Sequence, residues 1–165
     1  MASIESEGII ERLGLERLDH EGGWFKRIHT GATADAGRPS STTIYALFTR
    51  EDFSALHRLD AVEQFFFLDG DAFEVFRLGE NGVGETQVLG RELHKGQSPH
   101  LVFQPGCWFG GKPILGGSHG WTLMSCVVTP GFDWKGFEIG SRGALIAAYP
   151  EFEARILELT RASVS

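Results

Sequence analysis

Short apolar runs separated by turn residues dominate this chain, and only its two ends carry a helical period. Over Ser3 to Leu13, Ile4, Ile9, Ile10 and Leu13 fall near one face, Glu5 suits a first turn, and Gly14 can end the helix. After Gly22-Gly23 a strand, WFKRIHT, alternates Trp24, Lys26 and Ile28 with Phe25, Arg27 and His29. Each face holds an aromatic and a polar group, so period alone does not say which faces inward. TGATADAGRPS at 30–40 reads as a mobile loop. STTIYALF at 41–48 is β-branched and aromatic, as strands are.

SALHRLDAVEQFFFLDG at 54–70 brings His57 and Glu63 into an apolar stretch closed by a tight turn at Asp69-Gly70-Asp71. AFEVFRL at 72–78 then reads as the return strand of a hairpin. Glu80-Asn81-Gly82 is a further turn, with a shorter strand, ETQVLG, beyond it. Two short strands flank Pro105-Gly106. GWTLMSCVV at 120–128 is the most apolar strand, stopped by Pro130-Gly131. At the end Pro150 suits a first helical turn, and Phe152, Ile156 and Leu159 share a face. Strands at roughly 8–12-residue spacing predict an all-β sandwich or barrel.

Composition narrows the function. A length of 165 residues suits one domain that needs no staple. The formal net charge of −7 excludes an extended phosphate-binding surface, so no nucleic-acid partner is expected. No window approaches the ~20 apolar residues of a membrane span, and the acidic N-terminus does not read as a signal peptide. A cytoplasmic protein with no membrane partner is the expectation. Cys107 and Cys126 are too few for a disulfide framework and read as small buried apolar groups. A nucleophilic thiolate would need an adjacent base, and the sequence identifies none.

His57-x-Leu59-x-x-x-Glu63, with Gly70 beyond, resembles the first motif of the cupin superfamily. HEGGWFKR at 20–27, STTIYALF at 41–48, LHR at 56–58, LGREL at 89–93, PGCW at 105–108, TPGFDWKGFE at 129–138 and AYPEFEARI near the end resemble one branch, the cupin-5 (DUF985) family. The resemblance runs from about Ile9 to Leu159. It implies a double-stranded β-helix, a jelly-roll barrel over about 20–138 within a single domain spanning 1–165, and a homodimer. It also implies metal ligands, and here the chain departs from the pattern. Leu59 stands for the second histidine of the first motif, Phe109 for the last histidine of the second, and Val62 and Phe66 for an aspartate and a histidine of cupin-5 chains. No metal and no cofactor are therefore expected, although His100 is available as a replacement ligand. The exchanges to Val62 and Phe66 suggest a pocket turned from polar to apolar.

His57 and Glu63 are the candidate catalytic residues. A Glu held among Phe65, Phe67 and Trp108 would have its pKa raised by desolvation and serve as general acid or base beside His57. The competing readings are a buried pair that only ties two strands together, and a metal site completed by ligands not visible in the sequence. Trp24, Tyr45, Phe65, Phe67 and Trp108 are candidates to line an aromatic substrate pocket, with Lys26, His100, Met124 and Ser125 as further contacts. Lys26, Arg27 or His29 would suit an anionic group, and Arg27 reads first as a charge on an exposed edge strand. The expected activity is metal-independent proton-transfer chemistry on a small organic molecule, of isomerase, epimerase, cyclase or lyase type. The alternatives are a non-catalytic small-molecule-binding barrel and a metal-dependent enzyme.

Overall fold

The computed structural model describes residues 3–33 and 37–162. Of the loop expected at 30–40, residues 34–36 lie outside the described residues, and Thr33 and Pro39 bridge on either side of them. The first helix, α1 (Ile4–Leu13), begins where the Ser3 hydroxyl accepts from the Ser6 N–H. It ends at Gly14, whose left-handed φ of 64° lets its N–H reach the Glu11 carbonyl.

Eleven strands follow among the described residues: β1 (Glu16–Arg17), β2 (Trp24–Thr30), β3 (Thr42–Thr49), β4 (Ser54–Leu59), β5 (Val62–Gly70), β6 (Phe73–Leu78), β7 (Gly84–Leu89), β8 (His100–Phe103), β9 (Trp108–Pro113), β10 (Trp121–Thr129) and β11 (Phe137–Ile139). They form a six-stranded sheet ordered β1-β2-β3-β10-β5-β8 and a five-stranded sheet ordered β11-β4-β9-β6-β7, every pairing antiparallel. This is the all-β barrel that the strand spacing predicts, in the jelly-roll form that the family resemblance implies. Helices α2 (Arg142–Ala148) and α3 (Glu153–Glu158), separated by a 3-10 turn that Pro150 opens, close the chain.

Two local expectations change. β5 and β6 do not form a hairpin: β5 pairs with β10 and β8, and β6 with β7 and β9. Gly70, at φ 90°, lets the chain cross between sheets, and a Cβ there would lie 2.3 Å from the Trp121 carbonyl oxygen. The stretch 54–70 likewise splits at Asp60-Ala61, which puts His57 and Glu63 on opposite sheets.

Register fixes which side chains meet. Inside the six-stranded sheet, Arg27, Ile44, Cys126 and Phe65 form one cross-strand row, and Thr42, Val128 and Glu63 the next. One end of the barrel is packed solid by Phe65, Phe73, Phe103, Phe109 and Met124, with Phe103 and Phe109 stacked at 4.1 Å. Outside, α2 and α3 cover Leu56, Phe76, Leu78 and Trp108, while α1 covers Leu47 and Trp121. Both sheets are therefore apolar on both faces, so alternation in sequence cannot show which side is the barrel interior.

Candidate active site

The other end of the barrel is open, and three polar side chains meet on its floor. Leu56 and Arg58 point outward from β4, so His57 points in, 1% exposed. Its Nδ1 lies 2.7 Å from the Ala55 carbonyl oxygen, an acceptor, so Nδ1 carries the proton. Phe109 and Phe137 hold the ring at centroid distances of 4.4 and 5.5 Å. Nε2 is thereby aimed at two carboxylates, Glu63 Oε2 at 3.8 Å and Glu21 Oε1 at 3.9 Å.

Glu21 comes from the turn between β1 and β2. Its carbonyl accepts from the Ala55 N–H and from Arg161, and its carboxylate accepts from the Ser54 hydroxyl at 2.7 Å. Gly22, at φ 110°, allows that turn to press on β4; a Cβ there would stand 2.2 Å from the Phe53 carbonyl oxygen.

Burial and charge compete in this cluster. Burial works against an imidazolium, but the nearby Glu21 and Glu63 carboxylates outweigh it, holding the His57 pKa up at about 9. Glu63 moves upward as well: burial raises it, His57 opposes, and the Glu21 charge adds to the rise. His57 and Glu63 thus both hold a proton more tightly than the free side chains do. A group poised in this way both takes up and releases protons.

Above the floor lies a cavity of about 390 Å³. Leu18, Phe25, Ile44, Leu59 and Val128 wall it, and Phe132, Trp134 and Phe137 stand at its rim with ring centroids 4.9 to 5.9 Å apart. Trp134 is 57% exposed. The segment bearing these rings is tied down where Arg38 bonds both the Gly131 carbonyl and the Asp60 carboxylate, and where the Asp60 N–H donates to Gly136. Cys126 also lines the cavity, its thiol pushed well above the usual range by burial and by the charges of Glu63 and Glu21. It is thus a neutral wall group rather than a thiolate.

The structure brings His57 and Glu63 together as expected, but none of the nine expected substrate contacts lines this cavity. Phe65, Phe67 and Met124 belong to the packed end of the barrel. Trp108 lies outside the barrel beneath the C-terminal helices, with the Arg58 guanidinium 4.5 Å from its ring centroid. Trp24 packs near α1, and Lys26, Tyr45, Ser125 and His100 fall on one outward row of the six-stranded sheet. His100 stacks on Phe66 at 4.2 Å and bonds Gln64 Oε1, remote from the floor.

Phe66 and Val62 share the outward parity, so their exchange does not make the pocket apolar. Phe25, Leu59, Phe132 and Phe137 do. Arg27 is exposed on a stretch of β2 that β1 leaves uncovered, as a charge on an edge strand would be, and it also lines the mouth of the cavity. Glu21 and the Phe132, Trp134, Phe137 set had signals in the sequence. Glu21 precedes two glycines, and FDWKGF crowds three aromatics into a turn, where no strand period can bury them.

The donors do not fit a resident metal. Leu59 lines the wall with hydrocarbon and Phe109 lays its ring against His57, so neither position supplies a donor. Among the described residues no group of three or more His, Cys, Asp or Glu is arranged to hold a metal ion.

Comparison with known proteins agrees with this architecture. A protein of Shewanella oneidensis superposes with a TM-score of 0.89 at 32% identity, covering 96% of this chain and 98% of that one. A hypothetical protein from Leishmania major gives 0.86 at 29% identity, covering 95% and 99%. Oxalate decarboxylase from Bacillus subtilis matches over 87% of this chain and 36% of its own, at 0.56 and 13% identity, a likeness of fold alone. No curated protein matches. Among the described residues no helix is long and apolar enough to cross a membrane. The family model for the cupin superfamily, DUF985, matches residues 7–140, and the chain belongs to this cupin-5 family.

Proposed function

We propose that the barrel is an enzyme that moves a proton to or from carbon in a small organic molecule, with Glu63 as the acid–base group. His57 stabilises the charge that develops on Glu63, and Glu21 sets the basicity of His57. The observation that carries this reading is the Glu63–His57–Glu21 cluster, with His57 and Glu63 buried, on the floor of an apolar cavity large enough for a one- or two-ring molecule. Tying two strands together needs no open cavity above the pair. Proton transfer does, because the reacting carbon must reach the carboxylate. The reaction class is isomerisation, epimerisation, cyclisation or elimination next to a carbonyl or other acidifying group.

The test is deuterium uptake. Wild-type protein is incubated in D2O with the small molecules that co-purify with it, and mass spectrometry looks for a compound that gains one deuterium at carbon. Uptake by wild type and its loss in Glu63→Gln is the expected result. Uptake that persists undiminished in the folded variant removes Glu63 from the mechanism.

For assembly we propose a homodimer formed through the outer face of the six-stranded sheet. Tyr45, Ser125 and Phe66 lie in one row between Lys26 and His100, and Thr43, Val127, Gln64 and Val102 lie in the next beside His29, with no carboxylate in either row of a chain of net charge −7. Two copies meet there with the least repulsion.

A further inference from the structure

We propose that Arg27 is the anchor for a carboxylate group, which makes the ligand of this cavity a flat, mostly apolar carboxylic acid. The inference rests on the reading that the cavity binds a small organic molecule, and it adds the chemical class. Arg27 shares inward parity with Phe25 on β2, and it is the one lysine or arginine lining the cavity among the described residues. Its guanidinium makes no hydrogen bond, ion pair or ring contact among the described residues. Other arginines are committed to carboxylates: Arg17 and Arg161 hold Asp52, Arg38 holds Asp60, and Arg58 holds Glu138. The unpaired cation thus stands at the rim of an apolar cavity, with those carboxylates already engaged elsewhere.

Charge fixes the orientation of the ligand. The two carboxylates on the floor already face the one His57 ring, which leaves no free cation there to receive an anion, so the anionic end lies at Arg27 and the other end at Glu63. Along the sheet, β2 and β5 are three strand spacings apart, on the order of 14 Å between backbones. Once the two side chains reach inward, a single ring with a short arm spans the gap. The wall rings, Phe25, Phe132 and Phe137 with Trp134 above them, suit a flat body.

A carboxylate fits better than a phosphate. The guanidinium fork matches a planar two-oxygen acceptor, whereas a phosphate dianion needs further donors, and Lys26 points away on the outer face.

The experiment measures binding of trans-cinnamate, cinnamamide and phenyl phosphate by calorimetry and Trp134 fluorescence. The proteins are wild type, Arg27→Met, Arg27→Lys and Glu63→Gln, with melting temperatures confirming that each is folded. A charge-assisted bond of about 1.5–3 kcal/mol corresponds to ~10–100-fold in affinity. Cinnamate is expected to bind wild type tighter than cinnamamide by that factor, and at least as tightly as phenyl phosphate. Arg27→Met should abolish the preference without weakening cinnamamide, Arg27→Lys should keep part of it, and Glu63→Gln should keep it in full. Equal binding of acid and amide, an unchanged preference in Arg27→Met, tighter binding of phenyl phosphate, or no binding of any probe at millimolar concentration overturns the proposal. The catalytic reading fails separately. An Arg27-dependent acid preference without deuterium uptake in any compound leaves the anchor and removes the catalysis, whereas uptake without the preference does the reverse.

Discussion

His57 Nε2 stands 3.8 Å from Glu63 Oε2, although the two residues belong to different sheets and meet only because the barrel closes. Glu21 reaches the same nitrogen from a third segment. The arrangement therefore depends on the whole fold, and folding changes the proton affinity of its members.

The first prediction concerns pH. The folded His57 pKa, about 9, lies above its usual 6.5, so folding takes up a proton. That contribution is fully present below about pH 6.5 and is lost as pH rises through about 9. Glu63 is also raised, which has the same sign: its stabilisation belongs to the protonated form and fades with rising pH. Asp52 and Asp60 are lowered, so their contributions disappear only at the acid end, outside this window. The melting temperature should fall between pH 6.5 and 9, by an amount corresponding to on the order of 3 kcal/mol for His57. Glu21→Gln should shrink the fall, because the Glu21 charge is the largest influence holding the imidazolium. Thermal melts across the window check this, and a flat profile would sink it.

The second prediction separates chemistry from architecture at Glu63. Gln is close in shape and keeps most hydrogen bonds but exchanges no proton. Glu63→Gln should lower kcat by ~10²–10⁴ with a small change in melting temperature. If the pair serves only to join the sheets, the variant loses stability through an imperfectly paired buried group, and turnover per folded molecule stays at the wild-type value. Glu21→Gln should move the pH profile of kcat and leave the proton donor in place.

Much of the fold was legible because its signals are local. Ser3 and Gly14 cap α1, turns separate the strands, and the family motifs run in order along the chain. His57 and Glu63 were legible as titratable groups among apolar residues. What could not be read was direction. Trp24, Tyr45 and Trp108 look like pocket residues because they are aromatic, yet helices packed outside the barrel bury Trp108 and much of Trp24. With both sheet faces apolar, the alternation that marks an interior in simpler barrels is missing. The pocket itself is made by loop residues, Glu21 and the turn from Phe132 to Phe137, whose position follows from chain crossings rather than from any period.

That distinction gives a third prediction. Phe65 is 2% exposed and packs edge-on to Phe103 at 4.9 Å. Phe65→Ala should cost roughly 3–5 kcal/mol of stability and leave the open end of the barrel intact. Trp134→Ala should do the opposite, with little change in melting temperature but weakened binding of aromatic ligands, since its exposed ring forms part of the rim. Denaturant melts paired with cinnamate titrations decide this. A Trp134→Ala variant that binds as wild type would show that the rim rings take no part.

The last prediction concerns the outer face. α1 packs over the Leu47 and Trp121 end of the six-stranded sheet and stops there. Beyond it Phe66 and Val127 remain half-buried and Val102 is 39% exposed, on the edge strand β8. An edge strand carrying neutral outward side chains invites pairing with another chain, and natural edges that must stay single carry charge there. Val102 stands directly opposite Gln64, so a charged group at this position has no partner within its own sheet. Wild type should therefore give a dimer mass in light scattering at micromolar concentration. Val102→Lys should shift it to the monomer mass without lowering the monomer's intrinsic stability, because an exposed edge accommodates the longer side chain in water. Both halves matter. A monomeric wild type removes the interface altogether, and a Val102→Lys variant that stays dimeric places the interface on another face of the barrel.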